Sequence, residues 1–212
     1  MNKPDCIIQK HIPVNIFSRS GKHRFETLAI DMHWNGNAGM DEETLAKYLH
    51  DLSNQIKDDN IPDRFAGANY CVGQESSIEI VPPDEITYTA GADGIKTFYT
   101  GEAKEYFGEK YTKYWPESNG LSPNTCTCSL ELVHTDSTGK FEPSTLENAA
   151  LTVAWLVSLY NLSDDDNIIT HNFITGKDCP RYWVNHPPAF EEFKEQVSSI
   201  VRNPPHSNFY MP

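Results

Sequence analysis

The sequence lacks the features that identify membrane, secreted and disulfide-rich proteins. No apolar run approaches about 18 residues, so a transmembrane helix is not expected. The first residues contain neither a continuous apolar stretch nor a small-residue cleavage site, which argues against a secretory signal. The five cysteines are an odd number in such a chain, which argues against a disulfide framework. We therefore expect synthesis in a reducing cytoplasm.

Basic residues are also scarce. The chain has 17 Lys and Arg against 30 Asp and Glu, which gives a formal net charge of −13, and it shows no basic stripe. Binding to phosphate backbones needs clustered Lys and Arg, so the composition argues against nucleic acid as the main partner. No membrane partner is expected either. At 212 residues with 38% hydrophobic content, the chain fits one soluble globular domain, which we expect to be a monomer.

The order of patterns along the chain predicts one domain with appendages. Residues 1–24 are interpreted as an irregular arm packed on the domain, 25–203 as the domain itself, and 204–212 as a tail. Within the domain, 92–123 is the least regular part and is interpreted as an extended loop, with a short helix at 101–112. Strands and helices intermix throughout, which predicts an α/β fold with a central mixed sheet flanked by helices.

Hydrophobic periodicity sets the expected elements. The predicted strands are 27–33, 68–73, 77–81, 85–89, 125–134 and 167–170. The predicted helices are 41–57, a long one opened by a capping box of Ser144 and Glu147, and 188–202.

The sequence TGKDCP at 175–180, with His171 before it, predicts part of a metal site. Imidazole and thiolate are good zinc ligands, but His171 and Cys179 alone cannot close a site. His33 is the best candidate for the missing ligand, because strand period places it opposite the large apolar residues of 27–33. Three protein ligands are typical of a catalytic zinc with one open position. A histidine at a strand end is more often structural, and that alternative stays open for His33.

A zinc hydrolase also needs a proton acceptor, and Glu131 is the leading candidate. It lies on the less apolar face of its predicted strand, whereas its rival His134 lies on the face of the cysteines and leucines. Lys177 is suited to stabilise negative charge on a carbonyl oxygen. The alternatives are an exposed glutamate on an edge strand and a solvated loop lysine. Cys126 and Cys128 have the wrong spacing for a metal knuckle and are interpreted as core residues.

Several segments in order resemble a known family. They are VNIFSRSG at 14–21, AIDMHWNGNAG at 29–39, NYCVG at 69–73, IVPPDEI at 80–86, NTCTCSLEL at 124–132 and HNFITGKDCP at 171–180. These segments are similar to those of zinc-dependent N-acetylmuramoyl-L-alanine amidases of the phage-lysozyme and peptidoglycan-recognition type. The resemblance is closest to endolysin catalytic domains from phages and prophages of Gram-positive bacteria.

The resemblance implies one zinc ion held by His33, His171 and Cys179, with Glu131 and Lys177 as catalytic partners. It also implies substrate contacts, for which we name Trp34, Asn35, Thr89 and Asn172. The chain departs from many relatives at Asn69 and Thr89, where they have histidines. The segment 92–123 also looks longer than its usual counterpart.

The implied reaction is hydrolysis, by zinc-activated water, of the amide bond between N-acetylmuramic acid and L-alanine of peptidoglycan. Such an enzyme acts as an endolysin: it is made in the host cytoplasm without a signal peptide and reaches the wall after release. Two alternatives stay open. One is a non-catalytic peptidoglycan-binding module of the same fold, and the other is a zinc hydrolase of another amide or peptide bond.

Overall fold

The computed structural model describes residues 1–52, 54, 64–91, 99–114 and 123–205. Its strands are β1 Ile7–Gln9, β2 Ala29–Trp34, β3 Tyr70–Val72, β4 Ser77–Glu79, β5 Thr127–Leu132 and β6 Ile168–Thr170. Its helices are α1 Glu42–Leu52, α2 Gly101–Tyr114, α3 Pro143–Tyr160, α4 His171–Thr175, α5 Arg181–Asn185 and α6 Pro187–Arg202. Within these ranges, no helix is both long and apolar enough to cross a bilayer.

The strands form one six-stranded sheet in the order β1-β4-β3-β5-β2-β6. The β3–β4 hairpin is antiparallel, and every other neighbouring pair is parallel. The predicted fold class, a mixed sheet flanked by helices, is therefore confirmed. In the β2–β5 pair, His33 lies opposite Glu131 and Asp31 lies opposite Ser129. Each of these pairs shares one face of the sheet, because register partners project to the same side.

The main core lies between α3, α6 and one face of the sheet. Ile30, Met32, Leu130 and Leu132 point into it and are fully buried. The predicted helix α3 exists, but the predicted capping box is wrong. The helix begins at Pro143, with Glu142 before it as the N-cap and no side-chain cap hydrogen bond. A proline suits the first helical turn because its missing N–H would have no partner there.

The opposite face carries two smaller apolar clusters and several polar residues. Helix α1 covers β3 and β4 through residues such as Leu45 and Leu49, while α2 and α4 pack near Ala29 and Ile169. The central strands carry polar side chains on this face, among them Asp31, His33, Ser129 and Glu131. The second face of the sheet therefore positions the candidate site.

Some predicted elements differ from the structure. The arm 1–24 is not wholly irregular, since it supplies the edge strand β1, which has too few residues to show a period. The predicted strand 85–89 is wrong, because only an isolated bridge joins Glu85 to His23 there. Helix α1 runs from Glu42 to Leu52, and residues 53 and 55–57 of the predicted helix 41–57 lie outside the described residues.

The predicted helix within 92–123 is present as α2. Residues 92–98 and 115–122, the remainder of the proposed loop apart from a few flanking positions, lie outside the described ranges. The same holds for 206–212, most of the proposed tail. The domain boundaries stay predictions.

The buried Glu79 carboxylate fastens the N-terminal arm to the sheet. It accepts hydrogen bonds from Lys3 Nζ at 2.7 Å, Gln9 Nε2 at 2.9 Å and the Tyr70 hydroxyl at 3.0 Å, and His11 Nε2 lies 2.7 Å away. Burial raises the pKa of Glu79, but the bonds from Lys3, His11 and Gln9 outweigh it and leave the pKa below its usual range. The ionised carboxylate is thus the form that stabilises the arm.

We expect Glu79→Gln to lower the free energy of unfolding by about 2–4 kcal/mol at pH 7, because four converging groups lose their shared anion. Since the folded pKa is depressed, this contribution is present above the unfolded pKa and disappears as the pH falls through the folded pKa. Urea unfolding of both proteins at pH 7 and at low pH measures it. Glu43→Gln, which removes an exposed pair with Lys10, should cost less than about 1 kcal/mol. Equal losses for the two variants would contradict this role of Glu79.

Candidate metal centre and active site

The structure brings His33, His171 and Cys179 together in a buried cluster. One ligand atom from each residue lies within 4.8 Å of the others. The two imidazole centroids are 4.6 Å apart, and Cys179 Sγ lies 3.8 Å from His33 Nδ1. His33 comes near the end of β2, and His171 directly follows β6. These strands are parallel neighbours, so their carboxyl ends meet at the same edge of the sheet.

A tight return of the chain brings Cys179 back to the histidines. Thr170 caps α4 by accepting a bond from the Phe173 amide, and Gly176 ends α4 with a φ of 72°, a left-handed conformation that favours glycine. Asn172 then closes the loop twice: its amide bonds to the Cys179 carbonyl at 2.8 Å and its Nδ2 to the Lys177 carbonyl at 2.8 Å. Asn172, which was predicted to contact substrate, makes these hydrogen bonds within the loop.

The three residues fit a zinc ion. His171 Nδ1 is buried and has no hydrogen-bond partner among the described residues, so its lone pair is available to a metal. Burial, with the charges of His33 and Lys177, lowers the pKa of His171 to about 2, which keeps the imidazole neutral. Two imidazoles and a thiolate are a donor set that suits zinc and leaves a fourth position open.

Asp31 contacts the far side of the His33 ring. Its Oδ2 lies 2.6 Å from His33 Nε2, and both side chains are almost wholly buried. Burial alone lowers the pKa of His33, but the Asp31 carboxylate overcomes this effect and raises it well above its usual value. The predictions from sequence did not include Asp31. The sequence feature that could have identified Asp31 is its position two residues before His33, which places both side chains on the same face of a strand.

Glu131 lies beside the cluster as the register partner of His33. Its Oε2 is buried and has no hydrogen-bond partner within the described part of the chain. Burial raises the pKa of Glu131 to about 7, although the positive charges of His33 and Lys177 oppose the rise. A carboxyl group with such a pKa can accept and release a proton near neutral pH.

Lys177 lies in the exposed part of the loop between the two downstream cluster residues. Its positive charge lowers the pKa values of both Glu131 and His171, so the ammonium group is electrostatically coupled to the site. The fold thus places one cation close enough to Glu131 and His171 for its charge to act on both. This arrangement suits stabilisation of negative charge that develops on a reacting oxygen.

Trp34, a predicted substrate contact, is half-buried and packs against two neighbouring side chains. His134 stacks on the indole at a centroid distance of 4.7 Å, and the Arg181 guanidinium lies 4.5 Å from the ring centroid. Gly139 packs so close to the indole that a Cβ there would lie 2.6 Å from a ring atom. His134 also bonds through Nδ1 to the Asp136 carbonyl, which is a structural role.

The other two predicted substrate contacts, Asn35 and Thr89, bond to neighbouring loop residues. Asn35 is half-buried and bonds within the turn that follows β2. Thr89 bonds to Asn124, which precedes the amino end of β5, whereas Glu131 lies near its carboxyl end. Asn69, where many relatives have a histidine, is fully buried and accepts a bond from the Ser129 amide. The substrate contacts stay predictions, whereas the described residues bring the three zinc-ligand candidates together, with Glu131 beside them and the charge of Lys177 coupled to the site.

The remaining cysteines play no part in the cluster. Cys128 is buried in the main core, and Cys126 packs near α2, as expected for residues without metal-knuckle spacing. None of the five cysteines, all within the described ranges, forms a disulfide bond.

The fold and the cluster together define a class of protein: an α/β domain with the ligand set of a single-zinc hydrolase and a carboxylate beside it. The family model of N-acetylmuramoyl-L-alanine amidase matches residues 26–182. The chain therefore belongs to the N-acetylmuramoyl-L-alanine amidase family.

Individual relatives agree with this assignment. A probable N-acetylmuramoyl-L-alanine amidase of Bacillus licheniformis is 26% identical over 92% of this chain and 48% of its own length. The chain spans about half the length of the curated relatives it matches. Among solved structures, a mutant endolysin from Bacillus subtilis gives a TM-score of 0.62 at 22% identity, covering 90% of this chain and 97% of that one. An E90A mutant of PlyL gives 0.64 at 19% identity, covering 91% and 98%. At this identity, the solved structures support the fold.

Proposed function

We propose that this chain is a zinc-dependent N-acetylmuramoyl-L-alanine amidase that cleaves the bond between N-acetylmuramic acid and L-alanine in peptidoglycan. The observation that carries the proposal is the buried cluster of His33, His171 and Cys179 with Glu131 directly across from His33. The family match over 26–182 supports the choice of bond. As an endolysin, the protein would act on the cell wall.

The proposed roles follow from the geometry. His33, His171 and Cys179 would hold zinc, which would supply Lewis-acid polarisation of the scissile carbonyl and lower the pKa of water. Glu131 takes the proton from the attacking water and later delivers it to the leaving amine of L-alanine. Lys177 stabilises the negative charge that develops on the carbonyl oxygen. Substrate contacts by Trp34, Asn35, Thr89 and Asn172 are the remaining part of the proposal.

Two alternatives make different predictions. A non-catalytic binding module of the same fold needs neither an intact ligand set nor a free carboxylate. Here all three ligand candidates are present, and Glu131 Oε2 is unpartnered among the described residues, which favours an enzyme. A zinc hydrolase of another amide or peptide bond shares this site and differs only in product.

Digestion of purified Gram-positive cell wall distinguishes the proposed amidase from these two alternatives. The protein is incubated with wall material, with and without a chelator, and the released ends are identified. We expect new L-alanine amino termini and no new reducing sugars, and loss of both release and lysis with the chelator. New amino termini of any other residue would indicate another hydrolase. Stable wall binding without release would indicate a binding module.

Lys177→Ala should lower kcat by about 100- to 1,000-fold while the zinc content stays unchanged, because the variant loses one donor to the developing oxyanion. Turnover of wall fragments and metal analysis after dialysis measure the two effects. Lys177→Arg keeps the charge and should retain part of the activity. Lys47→Ala, which removes an exposed lysine of α1, should leave turnover unchanged. Full turnover in Lys177→Ala would remove this lysine from the mechanism.

A further inference from the structure

Asp31 is an unusual residue for its position because it is a carboxylate at 0% exposure in the middle of the sheet. Burying a charge is costly unless it is paired and hydrogen-bonded. Within the described part of the chain, the only ion pair of Asp31 is with His33, through Oδ2 and Nε2 at 2.6 Å. Its other oxygen, Oδ1, has no hydrogen-bond partner there. Within the described ranges, the carboxylate therefore has one direct polar partner, the imidazole of His33.

The contact determines which nitrogen of His33 faces the cluster. An anionic carboxylate accepts the Nε2–H, so Nε2 carries the proton and Nδ1 is left to bind a metal. Nδ1 is also the nitrogen that lies 3.8 Å from Cys179 Sγ. Asp31 thus fixes the orientation of the His33 ring. In this orientation, Nδ1 faces Cys179, one of the other two candidate ligands.

The position of Asp31 explains why this contact forms. Residues two apart on a strand project to the same face, and β2 carries Asp31 and His33 in this relation. The ring of His33 extends back over the carboxylate while its Nδ1 reaches toward the loop at 176–179. Ser129 is the cross-strand partner of Asp31 and is equally buried, but it makes no hydrogen bond through Oγ within the described ranges. It offers a matched control in the same layer.

We propose that Asp31 is a positioning residue for the metal centre: it fixes the tautomer and orientation of His33 and increases the basicity of its Nδ1 toward zinc. The inference rests on the zinc site of the proposed function. A carboxylate behind a ligating histidine strengthens metal binding, and its loss typically weakens metal affinity about 10- to 100-fold. Asp31 therefore determines how tightly this site holds its metal, without contacting the metal or the substrate.

Zinc affinity tests the proposal independently of catalysis. The dissociation constants of wild-type protein, Asp31→Asn, Asp31→Ala and Ser129→Ala are measured by competition with a chromophoric chelator. We expect Asp31→Asn to weaken zinc binding about 10- to 100-fold through loss of the charge. Asp31→Ala, which also loses the acceptor, should bind at least as weakly, and Ser129→Ala should bind like the wild type. The absorption spectrum of the Co²⁺-substituted protein should change in both Asp31 variants and not in Ser129→Ala.

A purely structural role for Asp31 gives a different result. It would lower the unfolding temperature of the metal-free variants and leave zinc affinity and the Co²⁺ spectrum unchanged, and that outcome overturns the proposal. If the variants do not fold, ¹⁵N NMR of the wild-type zinc protein decides: Nε2 of His33 must carry the proton and Nδ1 the metal, and the reverse assignment overturns the proposal. Failure of the wild type to bind zinc would overturn both this inference and the proposed function. Zinc binding without amidase activity would count against the function alone.

Discussion

Glu131→Gln is expected to reduce peptidoglycan cleavage by about 100- to 10,000-fold, the range that loss of a general acid–base typically costs. The substitution keeps the size of the side chain and removes its ability to accept a proton from water. Glu131 is the register partner of His33 but is not one of the three clustered ligand candidates, so zinc should remain bound. Cleavage of wall fragments, together with metal analysis of the same sample, measures both expectations.

The pKa of Glu131 adds a stability test that separates catalysis from misfolding. Burial raises this pKa to about 7, above the ordinary carboxyl value, so the folded metal-free protein disfavours the charged form. The penalty is absent at pH values below the unfolded pKa, develops as the pH rises, and is complete above the folded pKa. Glu131→Gln removes it. The metal-free variant should therefore be more stable than the wild type by about 1–3 kcal/mol above pH 7, and equally stable near pH 4.

Glu147→Gln is the matched control, because it makes the same chemical change on an exposed position of α3, across the sheet from the site. It should alter neither cleavage nor the pH dependence of stability. Full cleavage by Glu131→Gln would assign the proton transfer to another group. Loss of cleavage together with a fall in stability at every pH would show that the glutamate serves the fold instead.

The alternation of residues made this site partly predictable. In 27–33 and 125–134, period two separates the large apolar residues from His33 and Glu131, so the face of each residue could be assigned without a structure. The motif at 175–180 supplied two further residues in the same way. Alternation does not predict that β2 pairs with β5, because strand order depends on contacts between segments about a hundred residues apart.

Several side-chain contacts of the site could not be predicted, because they depend on how distant segments pack together. Asp31 was visible as a polar residue on the correct face, but its bond to the far nitrogen of His33 depends on a side-chain conformation that spacing does not encode. The contacts of Trp34 with Arg181 and His134 likewise depend on the fold and not on spacing, and its contact with substrate stays a prediction. The side-chain amide of Asn172 was predicted to contact substrate. In the fold it donates a hydrogen bond to the Lys177 carbonyl and so closes the loop that carries Lys177.

Cys179→Ser is expected to abolish zinc binding at equimolar metal and with it all measurable cleavage. A serine hydroxyl is a far weaker zinc ligand than a thiolate, and the two remaining imidazoles do not make a stable site. The loss of affinity should exceed the about 10- to 100-fold that changes behind a ligand typically cost. Metal content after dialysis and chelator competition measure it.

Because a metal that binds only the folded state stabilises it, the wild-type unfolding temperature should fall when zinc is removed, whereas that of Cys179→Ser should not respond to a chelator. Cys6→Ser makes the same substitution at a half-buried site beside the main core, and its unfolding temperature should keep the full chelator response. A full complement of zinc in Cys179→Ser would move the third ligand to another residue. Asn172→Ala keeps the backbone bond to the Cys179 carbonyl and removes the side-chain bond to the Lys177 carbonyl, so it should weaken zinc binding in the same direction but by less.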